Sequence, residues 1–294
     1  MKKETILITG AGPNGVTGNR IKERFIQDFD ILSPSSSELD LTDTEAVTKY
    51  FNDHKIDFVI HCAVIYPNEY KDGFFDNIRM YFNLARHNTR FSKMFYFGSG
   101  AEYDKSRDIV NIPEHEIGKN IPEDPYGLCK FIMQEHADKS DNIYNIRLFG
   151  TINPNELYTK NVISNLCIKA AKRIPMTLRK NCRFSFTDID DVAEFINYGI
   201  TKDLKYHNYN FLPENNYLLS EIAERICEIA GIEPDVSFLE EGLNREYTGS
   251  AQRIISEFNQ FTSLTKSLAK VYNRMEKISS EVDIREIDGR WRRN

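Results

Sequence analysis

The chain has 294 residues, 40% hydrophobic and 28% charged, with a formal net charge of -6. That length and balance suit one large or two smaller packed domains, and the acidic surplus argues against a nucleic-acid or anionic-membrane surface. No apolar run approaches the ~20 residues of a membrane span, Met1-Lys-Lys leads straight into a strand-like segment, and the five scattered cysteines lack metal-ligand spacing. The sequence therefore predicts a cytoplasmic protein with reduced structural thiols, including Cys129, and with no metal site and no membrane or nucleic-acid partner. Arg290, Arg292 and Arg293 read as a solvated basic tail.

In chain order, Thr5-Ile-Leu-Ile-Thr9 is the kind of apolar run that fills a central parallel strand, and it ends in Gly10-Ala-Gly12-Pro-Asn-Gly15-Val-Thr-Gly18 before a helix over about 19–28. Glycines let backbone approach a pyrophosphate, and the following helix start directs free amides at it. Strands follow at Asp30–Ser33, Asp57–Ala63, Lys93–Ser99 and Asn145–Phe149. Helices are expected from about Asp43 to Asn52, over 76–87, and from Asp124, with Asp124 as N-cap and Pro125 in the first helical position. This alternation predicts an α/β fold, a Rossmann-type doubly wound parallel sheet spanning 1–150. Beyond Gly150 the pattern changes to helices at 161–172, 189–201 and 220–231 and strands at 183–187 and 206–212. These predict a smaller α+β substrate lobe at 151–294.

Tyr126 and Lys130 stand four apart at that helix opening, on one face. A cation near a phenol favours the phenolate, as proton exchange with a sugar oxygen needs. With 15 tyrosines, about one such pair arises by chance, and Tyr198 with Lys202 is a second match. Context separates them, because only Tyr126 lies downstream of a glycine turn and of a strand ending in a serine, Ser99.

Phe97-Gly-Ser99-Gly-Ala-Glu-Tyr103, Pro125-Tyr126-Gly-Leu-Cys-Lys130 and the glycine turn together resemble the extended short-chain dehydrogenase/reductase superfamily, the nucleotide-sugar epimerases, dehydratases and reductases. Phe186-Thr-Asp-Ile-Asp-Asp191 and Tyr247-Thr-Gly-Ser250 resemble substrate-lobe segments of relatives of GDP-fucose synthase. The resemblance implies Ser99, Tyr126 and Lys130 as the catalytic group. It places Gly10, Gly15, Gly18, Asp40, His61, Ala63 and Lys130 at a dinucleotide and Ala101, Asn161 and Arg183 at a nucleotide sugar, and it implies a homodimer built on 76–87 and 126–136. This sequence departs from the pattern in carrying extra residues between Gly10 and Gly15. It also has Gly100-Ala101 where dehydratases carry an acidic pair, and Asn161 where the fucose-synthase branch has an epimerising histidine.

Three readings follow. The first is an NADP(H)-dependent reductase of a 4-keto nucleotide sugar, of the kind that serves surface-polysaccharide synthesis. The second is an NAD-dependent 4-epimerase, and the third a non-catalytic dinucleotide-binding scaffold. An acid after the second strand grips the ribose of NAD, whereas this chain offers Ser33, Ser35, Ser36 and Ser37, with Arg20 to reach an extra phosphate. NADP(H) is therefore favoured over NAD(H), with Glu38 as the counter-signal.

Overall fold

The computed structural model describes residues 3–66 and 73–287, so the basic tail lies outside the described residues. The first half runs β1 (Thr5–Thr9), α1 (Val16–Phe25), β2 (Asp30–Leu32), α2 (Thr44–Asp53), β3 (Phe58–His61), α3 (Phe74–Ala85), β4 (Lys93–Ser99), β5 (Ile109–Ile112), α4 (Pro125–Ala137) and β6 (Ile143–Leu148). The second half adds β7 (Gly150–Ile152), α5 (Val162–Lys172), β8 (Met176–Leu178), β9 (Arg183–Phe184), β10 (Phe186–Asp188), α6 (Ile189–Thr201), β11 (Asn208–Asn210), β12 (Tyr217–Leu218), α7 (Leu219–Ala230), β13 (Val236–Phe238), β14 (Tyr247–Gly249), α8 (Gln252–Ile255), α9 (Leu264–Ile278) and α10 (Ile284–Ile287). Local chemistry sets the helix starts. Asp43 accepts the amides of Glu45 and Ala46 at α2, and Asp124 accepts that of Gly127 at α4, with Pro125 where no amide is needed.

Six strands form one sheet in the order β11-β6-β4-β3-β1-β2, each neighbouring pair parallel. Successive side chains of β1 face opposite layers: Ile6 and Ile8 pack with Ile21 and Phe25 of α1 and Phe195 and Ile196 of α6. Leu7 packs on the other face with Val47 of α2, Leu84 of α3 and Met133 of α4. Helices on both faces explain why these strands read as continuous apolar runs. The strand order reverses between β1 and β3, and the crevice above their carboxyl ends is where such sheets receive ligands.

The lobes interleave. The edge strand β11 and the helix α6 come from beyond residue 150 yet complete the six-stranded sheet and the helical layer on one of its faces. A separate core joins α5, α7 and α9 through Leu166, Ile226, Leu268 and Val271. Two expectations change in detail. The first helix begins at Val16 instead of about 19, because Gly15 already serves as its cap. The strand expected over 183–187 is two: β9 pairs with β12 and β14, and β10 with β7. The apolar surface of 76–87 and 126–136 is largely used inside the monomer, where Met80, Tyr81, Leu84 and Met133 are buried.

Candidate active site

The glycine turn is held together by contacts that exclude side chains. Gly10 has φ +69, and a Cβ there would lie 2.6 Å from the Ala63 amide. A Cβ on Gly15 would stand 1.9 Å from the Gly10 carbonyl oxygen, and one on Gly18 2.3 Å from it. Gly10, Gly15 and Gly18 are thus the three packing glycines despite the extra residues, which form a turn closed by Gly15 N–H to the Gly12 carbonyl at 2.9 Å. At Gly12 a Cβ would meet only Ser35, at an ordinary 3.5 Å. The N-cap of α1 has no side-chain hydrogen bond, leaving its first amides for an anion. Beneath the crevice, Thr9 Oγ1 and His61 Nδ1 are 2.7 Å apart, and burial drives the His61 imidazole down to about 3, so it stays neutral at working pH. A cavity of about 470 Å³ opens beside this turn, lined by Gly12, Asn19, Ser33, Ser35, Ser37 and Glu38 among others. Glycine cradle, uncapped helix start and adjoining polar cavity fit a dinucleotide.

Gly15→Ala should therefore weaken reduced-dinucleotide binding at least tenfold in a fluorescence titration, whereas Gly12→Ala should change it less than about twofold. Equal effects would contradict this assignment of the cradle.

The candidate cation for an extra phosphate changes. Arg20 turns away from the serine loop to α6, donating Nε to Asp190 Oδ1 at 2.7 Å and NH2 to Asp190 Oδ2 at 2.9 Å, with NH1 on Glu23 at 2.6 Å. Two carboxylates satisfy it. Lys22, two residues on, instead donates Nζ to Ser33 Oγ at 2.7 Å, at the cavity. Glu38 accepts the amide and hydroxyl of Ser35, which hold its carboxyl below the ordinary range. Asp40 closes its own turn by accepting Thr42 N–H and Oγ1 at 2.8 and 2.7 Å.

Ser99, Tyr126 and Lys130 converge at the carboxyl end of β4 and the start of α4. Ser99 caps the turn over Gly100–Tyr103 and accepts the Ala101 amide at 3.2 Å. A Cβ on Gly127 would come within 2.6 Å of the Ala101 carbonyl, so that glycine lets α4 approach the turn and brings Tyr126 beside Ser99. Lys130 is buried and donates Nζ to the Phe97 carbonyl at 2.7 Å, 5.9 Å from the Tyr126 ring centroid. The expected phenolate does not form here. Burial raises the Tyr126 phenol well above its ordinary 10, the nearby Tyr66 and Tyr247 phenols add to that, and the Ser99 hydrogen bond only partly opposes it. Burial also holds the Lys130 ammonium below its ordinary range, and Tyr126 stays a protonated phenol. Cys129 is buried with its thiol pushed up to about 11, in keeping with a packing role.

Behind Ser99 lies a buried network that spacing alone does not reveal. Glu102 accepts the Ser99 amide at 2.9 Å and Arg147 Nε at 2.7 Å, and Arg147 and Glu102 are both fully buried. Arg147 NH1 reaches Tyr103 Oη at 3.1 Å and Asn210 Oδ1 at 3.0 Å. Asn145 Nδ2 links Glu102 to Gln134 of α4, so one network joins the Ser99 turn to the helix that carries Tyr126 and Lys130. Of the expected substrate residues, Ala101 is buried in the Ser99 turn. Asn161 caps α5 by accepting the Ile163 amide. Arg183 donates to the Asn216 carbonyl at 3.3 Å from β9. Neither Ala101 nor Asn161 offers a titrating group.

A model of the NAD dependent epimerase/dehydratase family matches residues 6–211. GDP-L-colitose synthase of Yersinia pseudotuberculosis is 26% identical over 269 residues, covering 77% of this chain and 82% of that protein. Among solved structures, MlghC, the GDP-mannoheptose C4 reductase from Campylobacter jejuni with NADP bound, is similar with a TM-score of 0.75 at 17% identity, over 93% of this chain and 98% of its own. The Bordetella bronchiseptica enzyme WbmH in complex with NAD+ is similar with a TM-score of 0.76 at 16% identity, over 95% of this chain and 100% of its own.

Proposed function

The chain belongs to the NAD dependent epimerase/dehydratase family, and from that premise we propose that it reduces a 4-keto nucleotide sugar with NADP(H). Residues 1–150, completed by β11 and α6, hold the dinucleotide, and 151–294 mainly hold the nucleotide sugar. The observation that carries the reading is the convergence of Ser99, Tyr126 and Lys130 at the carboxyl end of β4 and the start of α4, with the Tyr126 phenol, kept protonated by burial, beside Ser99. Ala101 and Asn161 occupy the places where acids or bases for elimination or inversion stand in the resembling branches. A carbonyl being reduced needs one proton at its oxygen and no second acid or base.

The nicotinamide dinucleotide, when bound, supplies the hydride. Ser99 orients the sugar carbonyl by hydrogen bonding to its oxygen, and Tyr126 gives that oxygen its proton as negative charge develops. Lys130, held by the Phe97 carbonyl, is the residue that would bind the dinucleotide ribose beside this site. Relatives named for GDP-mannoheptose and GDP-L-colitose support a guanosine diphosphate as the carrier. Incubation with NADPH and a panel of 4-keto nucleotide sugars tests the proposal, which requires stoichiometric NADPH consumption with at least one of them. Light scattering at micromolar concentration tests the homodimer carried with this reading; a monomer mass removes it.

Cofactor choice rests on Lys22 and the serines. A 2′-phosphate carries nearly two negative charges, which an ammonium beside neutral hydroxyls stabilises. NADPH should bind at least tenfold tighter than NADH by titration, and Lys22→Ala should erase most of that preference while leaving NADH affinity nearly unchanged; Arg20→Ala should not. The second reading, an NAD-dependent 4-epimerase, is favoured by one observation, the Glu38 carboxylate lining the same cavity. Tighter binding of NADH by the unmodified protein supports it instead.

A further inference from the structure

Tyr247 lies 148 residues from Ser99 in sequence, yet its hydroxyl is 3.4 Å from Ser99 Oγ. Strand β14 brings it there by pairing with β5 and β9, so this phenol enters the catalytic group from the carboxyl-terminal part of the chain. Its ring is wedged between Phe149 and Phe184, with centroids 5.1 and 5.2 Å away, which fixes where the hydroxyl points. The site is shaped to admit it. A Cβ on Gly100 would stand 2.7 Å from the Tyr247 hydroxyl oxygen and 2.6 Å from the Phe149 ring.

A serine hydroxyl has one hydrogen to donate and two acceptor positions. The Ala101 amide fills one acceptor position of Ser99 Oγ. We propose that Tyr247 is a positioning residue whose phenol donates to the second acceptor position of Ser99, so that the single Ser99 hydrogen is left for the Tyr126 side of the site, where its partner is the Tyr126 phenol until the reacting oxygen of a bound sugar takes that place. Burial keeps the Tyr247 phenol protonated, so it serves as a donor throughout the working pH range. Ser99 then polarises the carbonyl in one fixed sense, and that orientation depends on β14 being in place. No bond to Tyr247 is made or broken; it acts through Ser99 alone.

The inference rests on the catalytic assignment of Ser99, which reduction and epimerisation share, and a double-mutant cycle on whichever reaction the protein catalyses tests it. Tyr247→Phe keeps the ring between Phe149 and Phe184, and it should lower kcat about tenfold with KM, dinucleotide affinity and thermal midpoint nearly unchanged. In a Ser99→Ala background the same change should cost less than about twofold, because its target is gone. Equal losses in both backgrounds, or a loss confined to KM or Tm, overturn the inference. Failure of the wild-type protein to turn over any nucleotide sugar counts against the functional reading instead. A second readout then needs no turnover: in protein carrying 13C-labelled tyrosine, the Tyr247 Cζ resonance should shift on Ser99→Ala, and an unmoved resonance overturns the contact itself.

Discussion

Replacement of Tyr126 by phenylalanine should lower turnover by about 10²-fold or more while dinucleotide affinity and thermal midpoint stay close to those of the unmodified protein. The substitution keeps the ring, which stacks on Tyr66 with centroids 6.0 Å apart, and removes only the hydroxyl. In the proposed reaction that hydroxyl is the proton donor, so the loss should appear in kcat. Tyr198→Phe is the matched comparison, because Tyr198 and Lys202 repeat the same spacing on α6. Tyr198 packs there against Phe195 and Phe258 in the core beneath α1, with no serine strand or glycine turn to serve. Steady-state kinetics should show little change for Tyr198→Phe, and a comparable loss there would show that the wrong pair had been chosen.

The largest stability effect is expected at Arg147. Its Nε to Glu102 Oε2 contact is 2.7 Å with both side chains at 0% exposure, and removing one partner of such a pair strands a buried charge. Arg147→Leu should destabilise the protein by about 3–5 kcal/mol in a denaturant titration. Adding Glu102→Gln should recover part of that loss, since the uncompensated carboxylate is then gone. Because Glu102 also accepts the Ser99 amide, both variants should lose turnover as well as stability. A loss below about 1 kcal/mol for the single variant would mean that water or a shifted proton compensates Glu102.

Local signals carried much of this architecture. β4 over Lys93–Ser99, α4 from Asp124 and Pro125, and α6 over Ile189–Thr201 follow directly from apolar runs and capping chemistry in the sequence. Strands β5, β8, β13 and β14 were not legible because each is three or four residues long and owes its existence to a distant partner, as Ile109 does to Tyr247 and Met176 to Val236. Helix α9 carries a sequence signal of its own, since Leu268, Val271, Tyr272 and Met275 repeat at helical spacing and are its buried face. In the site, spacing brought Ser99, Tyr126 and Lys130 together. It could not show that Lys130 bonds the Phe97 carbonyl or that burial keeps the Tyr126 phenol protonated. Charge and position in the sequence point to Arg20, whereas helix geometry turns it to Asp190 and leaves Lys22 at the serines. Glu102 and Tyr247 became visible as site residues only when the fold closed over Ser99.

The central claim, reduction at a sugar carbonyl with the proton given by Tyr126, is tested most directly by following the label from deuterated NADPH into a 4-keto nucleotide sugar. The account predicts one deuterium at C4 of the product for each NADPH oxidised, with transfer falling by about 10²-fold or more in Tyr126→Phe. Interconversion of two C4 epimers with no net oxidation of the cofactor and no label retained, or label transfer that survives intact in Tyr126→Phe, would contradict it.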